Sequence, residues 1–122
     1  MRRVVIESPF RGATPALGWR NKSYARSAVR DALLRGEAPI ASHLLHTQEG
    51  ILDDDVPAER AHGIAAGHVW IEVADAVVVY KDLGVSEGMK RGIEHAILHG
   101  IPVEYRDLPS WSDAEDEKGD AA

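Results

Sequence analysis

The sequence predicts an α/β domain with a small parallel sheet of about four strands in the order 2-1-3-4, helices on both faces, Rossmann-like or flavodoxin-like in layout. Three observations carry that expectation. Short β-branched runs without polar alternation recur along the chain, as strands buried on both faces require. Stretches of helical periodicity separate these runs. No internal repeat interrupts the alternation, and right-handed crossovers leave few strand orders to choose from.

Val4-Val5-Ile6 is the first run, stopped by Glu7-Ser8-Pro9. Residues 11–20 carry turn-formers, among them Gly12 and Pro15, and read as a loop. A helix capped by Asn21 or Ser23 follows, with Tyr24, Ala25, Ala28, Val29, Ala32 and Leu33 at helical spacing and Gly36 closing it. Pro39-Ile40-Ala41 is the second strand, and the polar stretch from Ser42 to Asp55 reads as a loop. Pro57 sits just inside the next helix, with Asp55 as its cap, and the periodicity runs to about Val73. Gly63 and Gly67 lie four apart in it and are expected to let it approach the sheet closely.

Ala76 to Tyr80 is the clearest strand, and Lys81 to Ser86 form a loop. Gly88 to His99 form a helix with Met89, Ile93, Ala96 and Ile97 inward and Gly100 at its end. Pro102 to Tyr105 is an edge strand. One domain therefore spans 1–106. Residues 107–122 are acidic and aperiodic and are expected to form a disordered, dispensable tail.

At 122 residues and 44% apolar composition, the chain suffices for one core. It has no apolar run of membrane-spanning length and no secretory apolar segment, so no membrane partner is expected. Cysteine is absent, which excludes disulfide scaffolds, thiolate metal sites and thiol nucleophiles and fits a reducing, cytoplasmic setting. The net charge of −6 is uneven. The first 36 residues hold eight Lys and Arg against Glu7 and Asp31, while acids dominate thereafter. An acidic whole argues against duplex nucleic acid as partner. The basic N-terminal part can still meet a phosphate.

A sheet of this kind binds ligands beyond the carboxyl ends of its strands. After strand 1 come Glu7, Ser8, Pro9, Phe10 and Arg11; after strand 2, His43 and His46; after strand 3, Asp82, Ser86, Glu87 and Gly88, with Met89 as an apolar wall. Gly84 to Met89 open a helix whose N–H groups and dipole can receive an anion, although Ser86 as a simple N-cap explains the same residues. No dinucleotide-binding, P-loop or nucleophile-elbow motif is present. No metal is expected: His43 and His46 with Asp53, Asp54 and Asp55 lack a His-x-x-x-His helix pair or a third ligand at a defined interval. His62, His68, His95 and His99 are expected on helix surfaces.

The segments "ESPFRG", "PIASHLLHTQEGILDD", "PAER", "ADAVVVYKDLGVSEGM" and "GIEHAILHGIPVEYR" occur in this order over residues 3–106. Together they resemble the nucleoside 2-deoxyribosyltransferase-like superfamily, and most of all its small bacterial and phage members. The resemblance implies a Rossmann-like sheet, a homo-oligomer, and a nucleoside pocket at the strand carboxyl ends. Enzymes of that superfamily cleave an N-glycosidic bond with a glutamate nucleophile on the helix after strand 3. The matching position here is Lys90 or Gly92, neither a carboxylate, and Glu94 lies about 200° around the helix from Gly92. Asp82 and Glu87 are the nearest substitutes, with Glu7 across the cleft.

Two functions follow as expectations. The first is a protein that binds a nucleoside- or nucleotide-type ligand, such as an ADP-ribose-like signal, through Ser8, Pro9, Phe10, Arg11, His43, His46, Asp82, Ser86, Gly88 and Met89, without a cofactor. The second is an N-glycosidase or deoxyribosyltransferase in which Asp82 or Glu87 has become the catalytic carboxylate. A subunit-assembly role with an unused crevice is a third.

Overall fold

The computed structural model describes residues 1–109 and residue 111. Their elements run β1 (Arg3–Glu7), α1 (Pro15–Leu34), β2 (Ala38–Ile40), α2 (Ser42–His46), α3 (Pro57–Ile71), β3 (Ala76–Tyr80), α4 (Glu87–Leu98) and β4 (Val103–Arg106). The four strands form one sheet in the order β2-β1-β3-β4, and every pairing is parallel. Val5 stands beside Ile40 on one side and Val77 on the other. This is the expected α/β class and strand order.

The pleat sends alternate side chains to opposite layers. Val4, Ile6, Val78 and Tyr80 pack with Tyr24, Ala28 and Ala32 of α1. Val5, Val77 and Val79 pack with Ile71 of α3 and with Met89, Ile93 and Ala96 of α4. All five residues of β3 are fully buried, which is why its apolar run is continuous.

Several boundaries differ from the sequence reading, each for a local reason. Helix α1 starts at Pro15, because Thr14 accepts a hydrogen bond from the Leu17 N–H and Pro15 fits the first turn. The stretch from 15 to 20 is thus helix rather than loop. Part of the polar stretch after β2 is the short helix α2. Val56, not Asp55, precedes α3, and no side chain caps that end. Ser86 caps α4 as expected, accepting from the Met89 N–H at 3.3 Å, and Gly100 follows at φ 69°. Leu33 and Ile97, expected inward, are exposed.

The glycines of α3 approach α2 and the following loop, not the sheet. A Cβ on Gly67 would stand 3.3 Å from Ser42 Cβ, and one on Gly63 would stand 3.3 Å from Leu52 Cδ1.

The packed body also continues past Arg106, where a disordered tail was expected to begin. Leu108 is buried in the α1 layer, and Trp111 packs edge-on against Tyr24 with ring centroids 4.9 Å apart. That layer has a single long helix, so residues 108 and 111 cover apolar surface a further helix would otherwise cover. The rest of the expected tail, residues 110 and 112–122, lies outside the described residues.

The two edge strands are tied by charge. Arg106 donates to both carboxylate oxygens of Glu37, at 2.7 and 2.6 Å, and Arg2 donates to Glu37 at 2.6 Å. The Arg106 hydrogen bond, with help from Arg2, holds the Glu37 pKa down to about 2. Among the described residues no helix is long and apolar enough to cross a membrane.

Candidate functional site

A cavity of about 450 Å³ opens at the carboxyl ends of β1 and β3, between α2, α3 and the first turn of α4. Its volume suits a small organic ligand. Strand β1 delivers Glu7 and Ser8 to its floor, and the following loop supplies Phe10, Arg11 and Gly12. Helix α2 adds His43 and His46, α3 adds Gly67 and His68, and α4 adds Ser86, Glu87, Gly88, Met89 and Arg91.

Glu7 is the central polar group. Burial pushes its pKa up to about 8, and no neighbouring cation offsets that cost. The shift favours the neutral form of the ligand-free carboxyl, which can donate a hydrogen bond. It lies directly against Gly92 of α4: a Cβ at position 92 would stand 2.7 Å from Glu7 Cδ. The absent side chain of Gly92 makes room for the carboxyl that β1 presents.

His43 stands beside it. Its Nε2 is 2.8 Å from Ser8 Oγ, and Phe10 meets its ring edge-on at 5.1 Å. Burial lowers its pKa to about 4, so the imidazole is neutral at pH 7. His46 Nδ1 is buried without a hydrogen-bond partner, an unmet polar valence in the cavity wall. Arg11 spans the rim, donating to the Asp54 carbonyl at 3.0 Å and approaching Asp55 at 3.8 Å.

Of the residues expected to bind ligand, Ser8, Phe10, Arg11, His43, His46, Ser86, Gly88 and Met89 thus converge on one cavity. Pro9 is buried but does not line it. Asp82 is turned to a structural task away from it. Its carboxylate accepts from the Tyr24 hydroxyl at 2.5 Å and from the Leu108 N–H at 2.9 Å, and its own N–H donates to Tyr24 at 2.9 Å. Glu87 sits on the rim, exposed and paired with Lys90 at 3.1 Å. Neither stands where Glu7 does. Arg91, Gly67 and His68 also line the cavity, although the sequence points Gly67 to the sheet and His68 to a helix surface and marks nothing at Arg91; only the packing of α3 on α4 brings them there.

A family profile described as "Domain of unknown function (DUF7768)" matches residues 2–106. The chain belongs to that family. No curated protein matches this DUF7768 member in sequence. Among solved structures it is similar to a 2-deoxyribosyltransferase from the psychrotolerant bacterium Bacillus psychrosaccharolyticus, at TM-score 0.59 and 15% identity. The likeness covers 96% of this chain and 81% of that one. At that identity it establishes a shared fold, in agreement with the strand order above.

Proposed function

We propose that this DUF7768 protein binds a nucleoside- or nucleotide-type ligand in the cavity at the strand carboxyl ends, with Glu7 as the anchor. The observation that carries the reading is the half-buried Glu7 carboxyl, without a side-chain partner, at a cavity of ligand size. Glu7 donates to a ring nitrogen or a sugar oxygen, and Phe10 covers an apolar face. Arg11 and Arg91 on the rim suit a phosphate. The fold shared with a 2-deoxyribosyltransferase supports a nucleoside over other small ligands. A homo-oligomer belongs to the same proposal, supported by exposed Leu33, Leu34, Ile97 and Leu98.

A second reading, N-glycosidic bond cleavage, draws on one specific observation. A carboxyl kept protonated near neutrality is suited to protonate a departing base. Glu7, rather than Asp82 or Glu87, is the carboxyl placed for it. A nucleophile must be ionised, so the same raised pKa weighs against Glu7 as nucleophile in the ligand-free protein.

Native mass spectrometry of gently purified protein, then a panel of nucleosides, nucleotides and ADP-ribose-type compounds, tests both. Saturable binding that weakens in Glu7→Ala, with no free base released, is the expected result. Base release abolished by Glu7→Gln would replace the binding reading with the glycosidase. Binding unaffected by Glu7→Ala would remove Glu7 from the site.

A further inference from the structure

Outside the cavity, on the seam between α3 and α4, Glu72, His95 and His99 offer one ligand atom each, all within 4.8 Å of one another. His95 and His99 are four residues apart on α4 and so project from one helical face. Glu72, at the carboxyl end of α3, meets them from across the seam. Its Oε2 lies 2.8 Å from His95 Nε2 and 4.0 Å from His99 Nε2. His99 Nδ1 stands 2.9 Å from the His95 carbonyl oxygen. A donor there places the proton on Nδ1 and leaves the Nε2 lone pair directed at Glu72, the arrangement that backs a metal-ligating imidazole. His68 stacks on His95 at 4.8 Å and holds that ring from its other face.

We propose that Glu72, His95 and His99 form a binding site for a divalent cation of the zinc type. Two imidazoles and one carboxylate favour zinc, nickel or copper over magnesium or calcium, which take oxygen sets. Ligand atoms around tetrahedral zinc, at bonds of roughly 2.0–2.1 Å, sit about 3.3 Å apart. The separations here straddle that value, and all three side chains are partly exposed, so rotamer adjustments close the site without backbone movement. Solvent fills the fourth position. The Nε2 proton of His95 passes through solvent to Nδ1, the Glu72–His95 hydrogen bond gives way to two metal bonds, and α3 becomes pinned to α4. His68 belongs both to this cluster and to the cavity wall. The cation therefore stiffens the seam on which one side of the cavity is built.

The test uses the full chain, free of any histidine tag, titrated with zinc chloride by calorimetry and followed by thermal melting. A single saturable equivalent and a melting temperature that rises with zinc are expected. His95→Ala and His99→Ala should each weaken binding roughly tenfold or more, and Glu72→Gln should weaken it also. Magnesium should neither compete nor stabilise. Melting of each variant without metal shows whether its fold is intact; His99→Gln, at the most exposed imidazole, replaces any variant that is not. Absence of saturable binding overturns the proposal. So does binding that persists in the His95→Ala/His99→Ala double variant, which would place zinc at another site such as His43 and His46.

Discussion

The Glu7 carboxyl fills the space that a side chain on Gly92 would need. One residue is on a strand and the other on a helix 85 positions later, yet the two share one volume at the cavity floor. Helix α4 thus leaves the space at position 92 empty, and a carboxyl from β1 fills it.

That sharing should appear as coupling in stability. Gly92→Ala adds about 1 kcal/mol of helix propensity but overlaps the end of the flexible Glu7 side chain, which must shift. It is therefore expected to stabilise a Glu7→Ala background more than the native chain. Denaturant melts of the four proteins give a coupling of roughly 0.5–3 kcal/mol. Equal effects in both backgrounds would show that Glu7 moves aside freely. Gly92→Glu, which puts a carboxylate on α4 at the same place, should be tolerated only when Glu7 is truncated.

The raised Glu7 pKa sets a pH dependence. Below about pH 4.5 the carboxyl is neutral in folded and unfolded chains alike. Between there and about 8 the unfolded chain ionises first, so stability falls as pH rises, and the loss is complete above 8. The slope from this group approaches at most about 1.4 kcal/mol per pH unit. Glu7→Gln should flatten it, and the melting temperatures of variant and native protein should diverge from pH 5 to 8.

His43 acts in the opposite direction. Its folded pKa of about 4 lies below the ordinary 6.5. Stability from the neutral imidazole is present above pH 6.5 and is lost as pH falls through 4, because the unfolded chain takes up the proton first. His43→Gln should make the protein more resistant to acid over that window in melts at pH 4 to 6.5. An unchanged acid profile would mean that His43 is charged in the fold.

Ending the chain at Asp107 removes Leu108 and Trp111. Losing a buried leucine side chain alone costs about 2–5 kcal/mol, and each kcal/mol shifts the melting temperature of a domain this size by several degrees. A marked drop is expected for that truncation and for Leu108→Ala, read by calorimetry. No change would detach this segment from the core.

What the sequence disclosed follows its local signals. The uniform burial of Ala76 to Tyr80 reads directly as an apolar run, and the strand order follows from alternation and handedness. Helix α1 was shortened because Pro15 was weighed as a breaker, although Thr14-Pro15 is also a helix start. The cavity residues of the strand-end loops were legible because parallel sheets place sites there. Glu7 itself is visible at the end of β1, but its place against Gly92 is a contact of a range that no local pattern reports. The pairing of His95 and His99 was there to be read at helical spacing, whereas Glu72 joins them only once α3 lies on α4. Asp82 looked like a loop carboxylate facing a ligand, and only the fold shows Tyr24 beneath it.

The Tyr24–Asp82 pair has a consequence for how the loops beyond the strand ends are held. The hydroxyl grips both the carboxylate and the N–H of Asp82, and Leu108 closes the same knot. The turn leading into α4 is thereby fastened to α1 and to the C-terminal segment, which makes it the firmer bank. The opposite bank is held by Arg11 reaching exposed Asp54 and Asp55 across water-facing contacts, whose net hold is small. The two banks are therefore unequally anchored, and Arg11 sits on the looser one.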